Sequence, residues 1–265
     1  TIMILPAIDP VAIQLGPLAI RWYGLTWLIA FGLIYLLANK RLNKFSKQNL
    51  SDLMFYGLIG AMVGGRVGYM IFYGTDQLIS DPLSLFYIWQ GGLSFHGGFL
   101  GVLVSCYFLS KQWKMKFFVV MDFIAPYVPI GLGSVRVGNF LNAELLGKPT
   151  DLPWGVVFPS DPEALVRHPS QLYQALGEGI ILLFLMLWFS RNPKPRMAVS
   201  SMFLIGYGLI RCFTEIFREP DLHIGYDLFG TISRGQLLSL PMIIMGIVLL
   251  FYSYKINSKR NEAIS

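Results

Sequence analysis

Apolar stretches long enough to cross a bilayer recur along this chain, at 18–38, 53–73, 93–110, 117–135, 171–190, 197–217 and 236–254. A spanning helix needs about 20 mostly apolar residues, since no water reaches the hydrocarbon core and the backbone must pair within its own segment. Seven such segments take up about half of the 265 residues. Only 14% of the residues are charged, where a soluble domain carries about 25%, and the mean hydropathy is +0.56. The pattern predicts an all-α integral membrane protein, a single polytopic domain over 1–265 with about seven transmembrane helices. Aromatic residues gather near the span ends, as in interfacial belts. Residues 1–17 show no charged-apolar-small leader pattern; their prolines and alternating apolar residues read as an outer surface arm.

The connections divide by charge. Lys40, Arg41, Lys44 and Lys47 follow the first span, and Lys111, Lys114 and Lys116 the third. Arg191, Lys194 and Arg196 follow the fifth; Lys255, Lys259 and Arg260 follow the seventh. These thirteen of the 21 basic residues fall on one face, which the positive-inside rule makes cytoplasmic. The N-terminus is then outside, the C-terminus cytoplasmic and the number of spans odd. Residues 136–170 become an outer loop, a small periplasmic head between spans four and five. The net charge of +6 thus reports topology, and no nucleic-acid partner is expected.

The other eight basic residues are Arg21, Arg66, Arg136, Lys148, Arg167, Arg211, Arg218 and Arg234. All fall in the outer half of a span or in an outer loop, where the topology rule disfavours them. Arg66 and Arg211 lie inside spans, at roughly 2.5–3.5 kcal/mol each unless paired or facing a wet cavity. Arg211 and Glu215 are spaced i,i+4 for an internal ion pair. That pairing leaves Arg136 and the excess of arginine over carboxylate without a cause. A guanidinium is a rigid fork of donors suited to phosphate, so an outward pocket for an anionic lipid head group or another phosphate ester is expected.

The stretch GSVRVGNFLNAELLGKPTDLPWGVVFP, 133–159, places Arg136, Asn139, Asn142 and Glu144 within nine residues. Its Gly and Asn residues suit either a helix C-terminus or hydrogen bonds to hydroxyls and phosphate oxygens. In RHPSQLYQ, 167–174, Ser170 is placed to cap the fifth span, which leaves Arg167, His168 and Gln171 without a role. In GGLSFHGGFLG, 91–101, the glycines around His96 allow close helix approach or room for a ligand. No serine elbow, His-Glu-x-x-His pattern or P-loop is present. His96, His168 and His223 lack ligand spacing, and Cys106 and Cys212 sit in apolar segments. Neither a metal nor a cofactor is expected.

Seven pieces, in order over almost the whole chain, carry a resemblance: IDPVAIQLGPLAIRWYGL (8–25), GGRVGYMIFY (64–73), GGLSFHGG (91–98), RVGNFLNAELLGKPTDLPWGVVFP (136–159), RHPSQLYQ (167–174), YGLIRCFTEIFREPD (207–221) and GQLLSLPMI (235–243). The chain resembles the bacterial prolipoprotein diacylglyceryl transferases. The resemblance implies a bacterial plasma-membrane enzyme with its active site facing the periplasm. It would move the diacylglyceryl group of phosphatidylglycerol to the lipobox cysteine of a preprolipoprotein signal peptide, forming a thioether and releasing glycerol phosphate. Its partners would be those two substrates and membrane lipids. It also implies that Arg136 is the head-group arginine and Arg211 its partner near the leaving phosphate. His96, Tyr23, Asn139, Glu144, Gly147, Tyr207, Glu215 and Arg218 match further site positions, to which Asn142 and Arg66 are added as substrate-binding candidates. His96 reads equally as a general base or as a hydrogen-bonding wall residue. Three positions depart from the family pattern: Ala143 where glycine is frequent, Lys148 where arginine is, and Arg234 where an apolar residue is common. The competing classes are a transporter or flippase for an anionic lipid or phosphate ester, and a lipid-binding scaffold without catalysis; no repeat between the halves favours the former.

Overall fold

A computed structural model describes residues 3–15, 18–87, 92–220, 226–227 and 232–262. His223 and Gly91 lie outside them. Two compact units are present, one formed by residues 35–121 and the other by residues 1–34 with 122–265.

Among the described residues six helices are long and apolar enough to cross a membrane: Trp22–Asn39, Lys47–Phe72, Phe117–Leu141, Ser170–Phe189, Ala198–Phe217 and Arg234–Ile256. Burial in the larger unit is inverted relative to a soluble protein. Leu28, Ile29, Phe184 and Phe251 are exposed, whereas Gln171, Gln174, Glu178, Ser201, Arg211 and Glu215 are buried. Apolar side chains facing outward around a polar interior suit a lipid solvent.

In the smaller unit, α2 (Lys47–Phe72) starts at a capping box between Ser46 and Asn49. It packs along α4 (Phe95–Gln112) through glycines on both helices. A Cβ on Gly64 would collide with the Gly97 carbonyl, and one on Gly101 with the Gly60 carbonyl. The glycines flanking His96 on its C-terminal side are thus accounted for by backbone contact. Helix α4 corresponds to the expected span 93–110 but is not among the six. His96 and Lys111–Gln112 at its ends leave a shorter apolar run. Between them lie α3 (Thr75–Ser80) and a 3₁₀ turn, Pro82–Phe86.

The larger unit begins with β1 (Met3–Ile4) and an antiparallel hairpin of β2 (Val11–Leu15) and β3 (Leu18–Arg21). Helix α1 (Trp22–Asn39) therefore starts four residues later than the expected span, because 18–21 pair as a strand. Helices α5 (Phe117–Ile124) and α6 (Val128–Leu141) are joined by a 3₁₀ turn at Ala125–Tyr127, where Pro126 lacks the N–H that an α-helix would use. The fourth span was expected to end at 135 and give way to loop. It runs instead to Leu141, so Arg136 and Asn139 project from a helix, and Asn142 is its C-cap.

A small head follows. Strand β4 (Val156–Val157) lies between β1, to which it is parallel, and β5 (Val166–Arg167), to which it is antiparallel. The fifth span comprises α7 (Ser170–Gln174), a π-helical segment Ala175–Ile181 and α8 (Leu182–Phe189). Ser170 is its first helical residue, not the cap. Pro169 holds the N-cap position, while the Ser170 hydroxyl donates to the Leu145 carbonyl at 3.3 Å. Helix α9 (Ala198–Thr214), a 3₁₀ turn (Glu215–Phe217), the paired β6 (Tyr226–Asp227) and β7 (Ile232–Ser233), and α10 (Arg234–Glu262) complete the chain. The start of α9 is fixed from a distance: Asp122 accepts from the Met197 and Ser200 N–H groups at 2.7 and 2.9 Å.

Candidate active site

Helix α6 carries Arg136 and α9 carries Arg211, and a carboxylate from the π-helical segment stands between them. Glu178 is fully buried. Its Oε2 accepts from Arg136 Nε at 3.1 Å and its Oε1 from Arg211 Nη1 at 3.1 Å. Arg211 Nη2 lies 2.7 Å from Glu215 Oε2, close enough for an ion pair though outside hydrogen-bond alignment. Glu215 Oε1 then reaches Arg218 Nη1 at 3.5 Å. The i,i+4 pair expected from sequence is present, as one link in a longer network. Tyr207, one turn before Arg211, is within electrostatic reach of Arg136, Glu178, Arg211 and Glu215.

Two glycines allow this geometry. A Cβ on Gly133 would lie 2.9 Å from the Gly179 Cα, so α6 and the π-helical segment touch backbone to backbone beside Glu178. π-Helical turns are rare and frequently mark functional sites. Glu178 escaped the sequence reading, which counted arginines. An ionisable residue between glycines in an apolar span, LGEGI, was the available signal.

The second part of the site is a cavity of about 250 Å³ lined by Pro10, Arg21, Tyr23, Asn142 and Glu144. The Glu144 carboxylate accepts from Asn139 Nδ2 at 3.0 Å and from Asn142 Nδ2 at 3.2 Å. Gln171 Nε2 donates to the Glu144 carbonyl at 2.6 Å, fixing the loop that carries it. Tyr23 lies within electrostatic reach of both Glu144 and Arg136, linking the two parts. Asn139 Oδ1 and Gln171 Oε1 are buried and lack a hydrogen-bond partner among the described residues. A buried polar atom left so costs about 1–3 kcal/mol.

The loop that carries Glu144 is held by the segment that follows α9. Gly147 pairs with Arg218, Lys148 N donates to the Phe217 carbonyl and Glu219 N to the Leu146 carbonyl. A Cβ on Gly147 would run into the His168 carbonyl. Ala143 (φ 53°) and Leu145 (φ 57°) adopt left-handed conformations, which accounts for glycine suiting position 143. Ala143 also packs on Val156 and Phe158. Relief of about 1–2 kcal/mol of strain is offset by chain entropy and the lost methyl contact. Ala143→Gly should therefore shift unfolding free energy by less than about 1 kcal/mol, as denaturation in detergent would measure.

Three residues without a role in the sequence reading are placed by the head. Arg167 donates to Asp161 at 2.7 and 3.1 Å, to Glu163 at 3.1 Å and to the Gly147 carbonyl at 3.2 Å. His168 Nδ1 lies 3.2 Å from the Tyr173 hydroxyl, which accepts from Trp154 Nε1 at 2.8 Å. Gln171 holds the Glu144 loop, as described.

Arg167, with the Leu165 and Glu163 N–H groups, holds the Asp161 carboxyl below its usual range despite burial. A carboxylate depressed on folding stabilises above its unfolded pKa of about 3.9 and loses that contribution as pH falls through the folded value. Burial, then the nearby Lys148, lowers the His168 pKa. Its cost accordingly begins as pH falls through about 6.5, where the unfolded ring takes up its proton first. Head unfolding followed against pH should show both windows. Asp161→Asn should remove the lower one and cost on the order of 3 kcal/mol at neutral pH.

The smaller unit holds the other two expected site residues. Arg66 donates to the carbonyls of Ser84, Leu85 and Gly92 at 2.5, 3.2 and 3.3 Å and lies against the Tyr69 ring. His96 is exposed in the first turn of α4, where Ser94 caps the Gly97 N–H. The arginine–carboxylate network and the cavity are built from the larger unit alone.

Fold and site together define a multi-pass membrane protein with a buried arginine–carboxylate network linked to a polar cavity. The chain belongs to the prolipoprotein diacylglyceryl transferase family, whose profile matches residues 10–252. Its relatives include the phosphatidylglycerol–prolipoprotein diacylglyceryl transferase of Pseudomonas syringae pv. syringae strain B728a, 50% identical over 264 residues covering 97% of this chain and 98% of the relative. Proteins of the same name from Pseudomonas putida KT2440 and Pseudomonas entomophila L48 are 52% and 53% identical over 256 residues, covering 94% of this chain and 95% of each relative.

Proposed function

We propose that this chain transfers the diacylglyceryl group of phosphatidylglycerol to the lipobox cysteine of a preprolipoprotein in the bacterial plasma membrane. The observation that carries the chemistry is Arg136. Glu178 engages its Nε, and its two Nη groups have no hydrogen bond among the described residues. A fork of donors fixed from behind is suited to a phosphate's paired oxygens. The family's relatives are named as transferases, and the transporter alternative finds no support among them.

In the reaction a C–S bond forms at the glyceryl carbon as its C–O bond breaks. The oxygen leaves with the electron pair as glycerol phosphate, and the thiol proton goes to a base or to solvent. A free thiol has a pKa of about 8.5; guanidinium groups nearby favour the thiolate and stabilise charge gathering on the departing phosphate. Arg136 and Arg211 take those roles. Asn139, Asn142 and Glu144 face the head group's hydroxyls, with Tyr23 between the two parts. Gly147, Tyr207, Glu215 and Arg218 shape and hold the arginine side. Arg66 holds the Ser84, Leu85 and Gly92 carbonyls, and His96 is the candidate base.

The orientation that the basic connections imply places the site toward the periplasm, with α4 as a seventh span, the N-terminus outside and the C-terminus cytoplasmic. The purified protein, given phosphatidylglycerol and a lipobox peptide, should yield a thioether-linked diacylglyceryl peptide. Its absence under conditions where a Pseudomonas relative works would refute the assignment.

A further inference from the structure

We propose that Glu178 tunes the charge of the arginine cluster, so that the site accepts a phosphate bearing one negative charge and releases one bearing two. The inference rests on the transfer reaction above and adds a role for a residue outside the expected site.

The described side chains of the cluster are three guanidinium groups, Arg136, Arg211 and Arg218, and two carboxylates, Glu178 and Glu215. Glu178 subtracts one unit from the cluster's positive charge. Glu178 is fully buried and gives one oxygen to each principal arginine. Anion capture alone would be stronger without it. A carboxylate at the centre of a phosphate site therefore weakens the site's hold on its ligand. One account is that it merely offsets the burial of two arginines. The reaction supplies another.

The substrate is a phosphodiester with a single negative charge. Cleavage of the C–O bond leaves a monoester whose second pKa is near 6, so at neutral pH it carries about −1.5 to −2. The leaving group thus gains charge at the step after which it must depart. A positive cluster holds the monoester's larger charge more strongly than the diester's, and a carboxylate at its centre loosens the monoester the more. Replacing Glu178 with an uncharged residue raises the cluster by one charge, whatever else Arg218 touches, and tightens its hold on the product more than on the substrate. The hydrogen bonds fit this division: Glu178 lies behind Arg136 on Nε and leaves the Nη donors to the ligand.

The test compares two soluble competitors of the purified full-length protein at pH 8, glycerol phosphate and the diester glycerophosphoglycerol. The unaltered protein sets the reference ratio of the two inhibition constants. In Glu178→Gln the monoester should gain about tenfold relative to the diester, with a burst of first product followed by slow turnover. Glu178→Asp, which keeps the charge, should retain the original ratio. An unchanged ratio in Glu178→Gln, even with a lowered kcat, would reduce Glu178 to a structural part and overturn the proposal. If Glu178→Gln does not fold, Glu178→Met, uncharged and close in volume, takes its place in the comparison. Failure of the transfer reading would appear separately, as no thioether product from the unaltered protein without competitors.

Discussion

Turnover should fall by about 10²–10³-fold in Arg136→Ala, the range seen when one donor to a developing oxyanion is removed. The protein should still fold, because Glu178 keeps Arg211 as its partner at 3.1 Å. Arg136→Lys should recover little, since an ammonium cannot reproduce a planar fork held at Nε by Glu178. Arg211→Ala should lose as much activity and stability besides. It withdraws the shared partner of Glu178 and Glu215, and breaking a buried pair costs about 3–5 kcal/mol. Thioether formation per folded protein, measured beside thermal unfolding, separates the two effects. His96→Gln completes the comparison: if it retains near-normal turnover while the arginine variants lose theirs, the electrostatic role stands and the base role falls.

Gly147→Ala should be the most damaging single-methyl change in the larger unit. The new Cβ would run into the His168 carbonyl, and the same residue pairs with Arg218 and gives its carbonyl to Arg167. Moving either strand apart disturbs the loop bearing Glu144 and the segment bearing Arg218. Overpacking of this kind costs about 1–3 kcal/mol, and activity should fall further than stability. Proteolysis of the head and turnover at a temperature where the protein remains folded would measure both. Gly147 thus has a packing cause, although it entered the expected site as a substrate-binding position.

The hydrophobic segments and the arginines of the site were legible because both follow from local sequence. Arg136 and Arg211 stood out as charges in apolar surroundings, and the Arg211–Glu215 spacing foretold a contact that the structure contains. Three features were not legible, each because a distant partner decides it. The π-helical segment depends on the contact of Gly133 with Gly179, 46 positions apart. The first helix begins at Trp22 because Leu18–Arg21 pairs with Val11–Leu15. Ser170 has the composition of a cap, yet its hydroxyl goes to Leu145. A fourth has a local cause: Gly and Asn are common at helix ends, yet Gly138 and Asn139 remain helical and buried.

The parallel pairing of Met3–Ile4 with Val156–Val157 bears on how the protein is made. At synthesis rates of about 5–20 residues per second, roughly 8–30 s separate the emergence of the two strands. Several hydrophobic segments enter the bilayer in that interval, while the first strand waits without its neighbour. Closure of the head is then a late event in assembly. A bulky fusion placed at the amino end would interfere with completion of the head while leaving earlier helix insertion intact.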